Sequence, residues 1–125
     1  MEIEHVTLYT TFPDADTARR LCRMLVEEGL VACANLVPIQ SIYQWEDKIE
    51  EEGEVAALLK TRVELIGDVE ATLCAAHPYE VPALVAWPIV AGHPPYLDWI
   101  DFATLEAAER AEDARAESDD QDPMP

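Results

Sequence analysis

The sequence predicts a single α+β domain, and three observations support that prediction. The chain has 125 residues, of which 50% are hydrophobic and 27% charged, so it is long enough for one real core and unlike a disordered chain. Runs of β-branched and aromatic residues alternate with segments whose apolar residues recur at helical spacing. Gly or Pro stands at most of the boundaries between these segments. Strands and helices should therefore alternate along the chain.

The N-terminal segment predicts a strand followed by an amphipathic helix. Residues 4–12 are rich in β-branched and aromatic residues and should form the first strand, which Pro13 ends. Asp14 or Asp16 can then cap a helix whose apolar residues recur every three or four positions. Gly29 supplies a C-terminal stop for this helix.

The middle of the chain predicts a long hairpin. Residues 30–37 should form a strand that is interrupted at Pro38 and resumes through Trp45. This long strand should be kinked, with Pro38 at a bulge or on a sheet edge, because proline cannot donate to the ladder. The polar residues 46–54 predict the connection, and residues 55–61 should return as an apolar strand.

The second half predicts another helix, a strand and a terminal helix. Helical spacing begins at Arg62 and should stop before Pro78, and residues 81–90 favour a fourth strand. Residues 96–110 resume helical spacing. Residues 111–125 carry no apolar stripe, and we expect them to form an acidic, flexible tail outside a domain of residues 1–110.

The predicted element order is that of the ferredoxin-like, split βαβ fold, with a long kinked β2–β3 hairpin and an extra C-terminal helix. Many unrelated functions use this fold, so the topology alone does not choose among them.

Charge and hydropathy limit the partners. A net charge of −18 disfavours binding to nucleic acid and to anionic lipid, since both rely on Lys and Arg. No apolar run approaches the ~18 residues of a membrane span, so we expect a soluble cytoplasmic protein. The three cysteines, Cys22, Cys33 and Cys74, form no CxxC pair and are interpreted as reduced core thiols.

No catalytic motif stands out, and we do not expect an enzyme. His77 lies at a helix end and is either functional or a hydrogen-bonded structural group. Cys33 has no base near it in sequence, which favours burial over nucleophilic chemistry. The acidic residues of segment 46–54 offer oxygen ligands for a divalent cation, although a solvated loop is the favoured interpretation.

The aromatic residues Tyr43 and Trp45 lie on a strand that is too long for one four-stranded sheet. A projecting ribbon of this kind has unpaired edges and exposed rings, which a neighbouring subunit can cover. The sequence therefore predicts self-association, most simply in a closed cyclic oligomer.

Three segments resemble one family: ACANLVPIQSIYQWEDKIEEEGEVAALLKT at residues 32–61, HPYEVPALVAWPI at residues 77–89 and YLDWI at residues 96–100. Over about residues 3–105 the chain resembles the CutA family of divalent-cation tolerance proteins. The resemblance implies a ferredoxin-like subunit in a tight cytoplasmic homotrimer, implicated in tolerance of copper and other divalent metals and not known as an enzyme.

The resemblance implies a copper site that this chain carries only in part. His77 matches a proposed copper ligand, and Cys33 matches the family's cysteine, although its expected burial makes it a doubtful ligand. Ala76 stands where some relatives have a second histidine, and Thr10 where some have cysteine. Affinity for soft metals should therefore be reduced.

The family trimer also implies clefts between subunits as binding sites. An alternative function is a signalling module like the PII proteins, which resemble the CutA family in fold and assembly and bind nucleotides in such clefts. The positions that match polar or aromatic cleft residues are Tyr43, Trp45, Lys60, His77, Tyr79 and Glu80.

Overall fold

The computed structural model describes residues 2–121, which form one antiparallel sheet and four α-helices. The elements are β1 (His5–Phe12), α1 (Ala15–Glu27), β2 (Cys33–Trp45), β3 (Lys48–Arg62), α2 (Ile66–Ala76), β4 (Leu84–Pro88), α3 (Pro94–Ala103) and α4 (Leu105–Gln121). The sheet order is β2-β3-β1-β4, with every neighbouring pair antiparallel. The predicted ferredoxin-like α+β fold is confirmed.

Helix α1 begins and ends where the sequence predicts. The Asp14 carboxylate accepts a hydrogen bond from the backbone N–H of Thr17 at 2.8 Å, which satisfies one of the free donors of the first turn. After the helix, Gly29 adopts a φ of 70°, a left-handed conformation that costs glycine little. The chain can therefore turn sharply into β2.

The core lies between the sheet and helices α1 and α2. Side chains that point to this side of the sheet alternate along each strand, as the pleat requires. Each aliphatic side chain buried there stabilises the fold by about 1.5–3 kcal/mol. Fully or almost fully buried members include Leu8, Phe12 and Leu59 of the sheet, Leu21 and Leu25 of α1, and Val69 and Leu73 of α2. The opposite side of the sheet is called the open face below.

The β2–β3 hairpin is longer and more regular than predicted. Its turn has only two residues, Glu46 (φ 50°) and Asp47 (φ 66°), so most of the predicted polar connection 46–54 is strand. Positive φ at both positions defines the tight hairpin turn whose twist matches that of paired strands. The register contains no bulge, and Pro38 pairs opposite Val55. Because β2 is an edge strand, the predicted edge position of Pro38 is confirmed.

The distal half of this hairpin projects beyond the rest of the sheet. Strand β1 pairs with β3 only from Val55 to Arg62, so residues 48–54 pair with β2 alone. Ile42 and Ile49 of this two-stranded ribbon are 70% and 69% exposed. An isolated two-stranded ribbon is marginally stable in water, and this one exposes apolar side chains as well.

The C-terminal third differs from the prediction in its boundaries. Strand β4 is shorter than residues 81–90, and the predicted helix 96–110 is divided at Thr104 into α3 and α4. Helix α4 runs through residues 111–121 of the predicted tail, whose flexibility stays a prediction, and residues 122–125 lie outside the described part. No helix within residues 2–121 is long and apolar enough to span a membrane.

Polar side chains hold the junction between α3 and α4, at Thr104, against the sheet. Arg62 of β3 donates from Nε to the Thr104 hydroxyl at 2.8 Å, and that hydroxyl donates to the carbonyl oxygen of Ile100 at 2.7 Å. His5 of β1 contacts the Asp101 carboxylate at 2.8 Å. These bonds hold α3 against one end of the sheet, and the apolar spacing of residues 96–110 gave no sign of them.

We predict that Thr10→Val stabilises the fold. Thr10 is fully buried on the core side of β1, and its hydroxyl has no hydrogen-bond partner in the described structure. Replacing it with an isosteric methyl group should raise the free energy of unfolding by about 1 kcal/mol, as measured by urea denaturation. The matched control is Thr61→Val, because Thr61 is equally buried but donates to the Leu30 carbonyl oxygen at 2.7 Å.

Thr61→Val should lower the free energy of unfolding by a similar amount, since it leaves a buried carbonyl without its donor. Equal changes in the two variants would contradict the assignment of Thr10 as the unsatisfied group.

Candidate functional site

His77, the predicted metal ligand, is buried at the end of α2 with both ring nitrogens hydrogen-bonded. Its Nε2 donates to the Thr11 carbonyl oxygen at 2.8 Å, and its Nδ1 accepts from the Tyr79 backbone N–H at 3.0 Å. These partners define a neutral ring with its proton on Nε2. The ring also stacks on Phe12 at a centroid distance of 5.1 Å. A metal ion would have to displace one of these bonds, and the ligand role stays a prediction.

Cys33, the second predicted ligand, lies at the start of β2 on the open face and is only partly buried. Its sulfur is 3.5 Å from the hydroxyl oxygen of Tyr96 in α3. This hydrogen bond, together with partial burial, raises the pKa of Tyr96 to about 12. Across the hairpin, Lys60 is the register partner of Cys33 and donates to the side-chain oxygen of Asn35.

The interpretation of all three cysteines as core thiols is correct only for Cys22. Burial raises the pKa of Cys22 to about 11, as expected for a thiol away from water. Cys74 is exposed on α2, because it follows the buried Leu73 and therefore lies about 100° further round the helix, on the outer surface. Sequence neighbours alone did not distinguish the two sides of that helix.

One chain does not bring Cys33 and His77 together. Cys33 lies opposite Lys60, and Lys60 lies opposite Thr7 of β1. His77 bonds to Thr11, four residues further along β1, which corresponds to about 13 Å along the strand. Across residues 2–121, no three His, Cys, Asp or Glu side chains are grouped so that they could hold a metal ion.

Most of the predicted cleft residues do lie together, in a groove of about 860 Å³ beside the ribbon. This groove is lined by Tyr43, Trp45, Tyr79 and Glu80. Lys60 lies outside it, near Cys33 and toward the other end of β2. The volume falls within the range of small-molecule sites, about 300–1,000 Å³. Whether a neighbouring subunit contributes to the groove stays a prediction.

Glu54 also lines the groove, and the sequence analysis missed it. It was grouped with the solvated acidic residues of the hairpin, but only 8% of it is exposed. The segment that follows α2 lies against it in the groove. The Tyr79 hydroxyl donates to its Oε2 at 2.7 Å. The solvated-loop interpretation is therefore wrong for this carboxylate.

Carboxylates in and beside the groove hold the phenols of Tyr43 and Tyr79 in the protonated form. The hydrogen bond from Tyr43 to Glu52 raises the pKa of Tyr43 to about 12, and the charges of Glu54 and Glu50 add to the effect. Burial, followed by the bond to Glu54, raises the pKa of Tyr79 above its ordinary value. The groove is thus an electronegative site lined by neutral phenol donors.

The topology defines a ferredoxin-like protein with a groove on the open face of its sheet. A family model described as CutA1 divalent ion tolerance protein matches residues 6–103. The chain belongs to this family. Helix α4 lies beyond the matched residues.

Relatives and solved structures agree with this assignment. The chain is 41% identical to the divalent-cation tolerance protein CutA of Pyrococcus horikoshii over 95 residues, which cover 76% of this chain and 93% of the relative. It is 41% identical to mouse protein CutA over 77% of this chain, but spans only 55% of that relative. A relative from Arabidopsis thaliana is named a chloroplastic protein CutA. It is 35% identical to this chain, and the match covers 82% of this chain and 57% of the relative.

Two solved structures resemble the fold closely. The Archaeoglobus fulgidus structure, titled a periplasmic divalent cation tolerance protein CutA, has a TM-score of 0.79 at 40% identity and covers 80% of this chain and 98% of its own. CutA1 from a psychrotrophic Shewanella species has a TM-score of 0.80 at 38% identity, with coverage of 83% and 98%.

We predict that Glu52→Gln lowers the pKa of Tyr43 toward its ordinary value of 10, because a neutral amide no longer stabilises the protonated phenol. The titration can be followed by NMR of ¹³C-labelled tyrosine. Since the folded pKa lies above the unfolded one, the bond stabilises the fold below about pH 10, and this contribution is lost as the pH rises through about 12.

The control is Glu51→Gln, which removes the same charge from the other face of β3. A Tyr43 pKa that falls equally in both variants would assign the shift to net charge and not to the hydrogen bond.

Proposed function

We propose that this chain is a divalent-cation tolerance protein that works as a cytoplasmic homotrimer and binds or responds to metal ions such as copper. The observation that carries the proposal is the family match over residues 6–103, whose description names divalent ion tolerance. The relatives reported above are named for cation tolerance or as CutA, and we propose a binding role and not a catalytic one.

The metal part of the proposal requires side chains from more than one subunit. Within one chain, Cys33 and His77 are separated by about 13 Å along the strand direction alone. His77 could ligate through Nδ1 if the Tyr79 N–H turned away, or through Nε2 if the ring proton moved to Nδ1 and the bond to the Thr11 carbonyl oxygen broke. Copper, which binds imidazole and thiolate well, could satisfy such a divided site.

Calorimetric titration of Cu²⁺ and Zn²⁺ tests this proposal. We expect wild type to bind Cu²⁺, and Cys33→Ser and His77→Gln each to weaken binding about tenfold or more through loss of a ligand. The matched controls are Cys74→Ser and His93→Gln, which alter exposed residues of the same types. Identical isotherms for wild type and His77→Gln would remove His77 from the site.

The assembly part is supported by the apolar surface that one chain leaves exposed. Four large apolar side chains on the open face are each more than 40% exposed: Val37, Trp45, Val85 and Trp87. They lie on both edge strands of the sheet, whose unpaired backbone groups are also available to another chain. Contact between open faces and ribbons of neighbouring subunits would cover both kinds of surface, and three-fold closure would leave no ribbon unpaired.

We predict that Trp45→Ala loosens the oligomer. Trp45 is 43% exposed on the projecting ribbon, and truncating an interface tryptophan commonly costs about 2 kcal/mol or more of binding free energy. Light scattering over a dilution series should therefore show dissociation at a higher concentration than in wild type. Phe102→Ala is the control, because Phe102 is 79% exposed in the separate groove formed with α1 and α4. Unchanged assembly of Trp45→Ala on dilution would contradict the proposed interface.

The alternative nucleotide-binding role gains no support from the groove. Glu54 and Glu80 line it, and carboxylates repel phosphate groups. The family relation and the charge of the site both favour cations.

A further inference from the structure

A second groove, of about 800 Å³, lies on the helix side of the molecule. Its walls are the C-terminal end of α1, part of α2, the last turn of α3 and one face of α4. Helices α1 and α2 cover the side of the sheet opposite the open face. The oligomer proposed above therefore leaves this groove accessible, and it is called the α1–α4 groove below.

Helix α4 builds one wall of the α1–α4 groove. The family model ends at residue 103 and α4 begins at Leu105, so this wall is an addition to the matched part of the fold. Arg110 donates from Nη2 to the Glu28 carbonyl oxygen at 3.1 Å, which holds α4 against the end of α1. The same wall carries Ala107, Ala111 and Ala114, whose spacing puts them on one helix face.

The floor of the groove is apolar and partly exposed to water. Phe102 is 79% exposed, more than any other large apolar side chain in the described part of the chain. Val26 and Leu105 line the groove with it and are exposed as well. Exposed apolar patches of this kind mark interaction sites, and aromatic anchors often carry most of the binding energy. The alanines of α4 leave room for another helix to approach closely.

The rim of the groove is acidic. Four carboxylates line it, whereas the one basic lining residue among the described residues is Arg110, which is bound to a backbone carbonyl. Glu27 pairs with Arg23 of α1, but no Lys, Arg or His nitrogen of the described residues lies within 4.0 Å of the other three. The negative charge is therefore not neutralised by the chain itself. These three carboxylates belong to Glu28, Asp68 and Glu106.

An apolar floor within an acidic rim is complementary to a basic amphipathic helix. Such a helix lays its apolar face in a groove between helices and keeps its charged residues at the rim. A second copy of the chain fits less well, because its net charge is −18 and like charges repel. The same repulsion disfavours nucleic acid and anionic lipid.

We propose that the α1–α4 groove is a docking site for a basic amphipathic helix of a partner protein. The apolar residues of that helix contact Phe102, Val26 and Leu105, and its Lys or Arg residues lie beside Asp68 and Glu106. The site is independent of the metal proposal, because neither Cys33 nor His77 lines this groove.

Fluorescence anisotropy with a labelled synthetic peptide tests the site on the assembled full-length protein. The peptide has about 15 residues, with leucine at i, i+3, i+4 and i+7 and lysine elsewhere. We expect saturable binding of this peptide, binding at least about tenfold weaker for a scrambled peptide of the same composition, and none when glutamate replaces lysine. Equal affinity of both lysine peptides, or no saturable binding of the amphipathic one, would overturn the proposal.

A pair of double variants tests the acidic rim. Asp68→Asn combined with Glu106→Gln removes two lining charges and should weaken peptide binding about fivefold. The matched control combines Glu64→Gln with Glu112→Gln, which removes two charges from exposed positions outside the groove and should leave binding unchanged. Equal weakening in both would overturn the proposal in favour of general attraction to an acidic surface.

Phe102→Ala tests the apolar floor. Because Phe102 is exposed, this variant should fold normally and should weaken peptide binding about tenfold or more through loss of the anchor. The control Val90→Ala shortens an exposed apolar side chain outside the groove and should leave binding unchanged. Unchanged affinity of Phe102→Ala would overturn the proposed contact.

Two results would assign the groove to another occupant. Loss of assembly of Phe102→Ala in light scattering would assign it to a second copy of the chain. Peptide binding that appears only after deletion of residues 122–125 would assign it to the chain's own C-terminus. Either result would overturn docking of a partner protein, whereas unchanged assembly together with binding to the full-length chain supports it.

Discussion

The two-residue turn at Glu46 and Asp47 sets the pairing of β2 with β3, and most other features of the structure depend on that pairing. Side chains alternate between the two faces of a strand, so a slip of one residue would exchange the faces of the whole ribbon. The observed register puts Leu59 in the core and Glu54 on the open face. The core, the groove and the exposed ribbon surface therefore follow from one turn and one register.

The same register separates the two kinds of chemistry that the chain carries. Cys33 and Lys60 face each other toward one end of β2, with Tyr96 of α3 beside the cysteine. The acidic, aromatic groove lies toward the ribbon. His77 stands near the groove but is bound to the backbone on both ring nitrogens, so it fastens α2 to β1. Within one chain the groove brings most of the predicted cleft residues together, whereas the two predicted metal ligands lie apart.

Much of the fold could be predicted because it depends on local rules. Asp14 caps α1 and Gly29 ends it through hydrogen bonding and backbone conformation that those residue types favour anywhere. The division at Thr104 could not be predicted, since it depends on Arg62, which is distant in sequence. Glu54 was missed for the same reason: Tyr79, which bonds to its carboxylate, is distant from it in sequence.

The sequence by itself determined the order of the elements, the long hairpin, the family and the strongly negative charge. Strands, helices and turns could be predicted because their signals lie within short segments, and the net charge is simply the sum over all residues. Only the tertiary structure decided which acidic side chain is buried, which cysteine is exposed and which candidate residues share a groove. Those properties depend on strand register and on the packing of distant segments, and a carboxylate such as Glu54 looks like its solvated neighbours until the sheet is assembled.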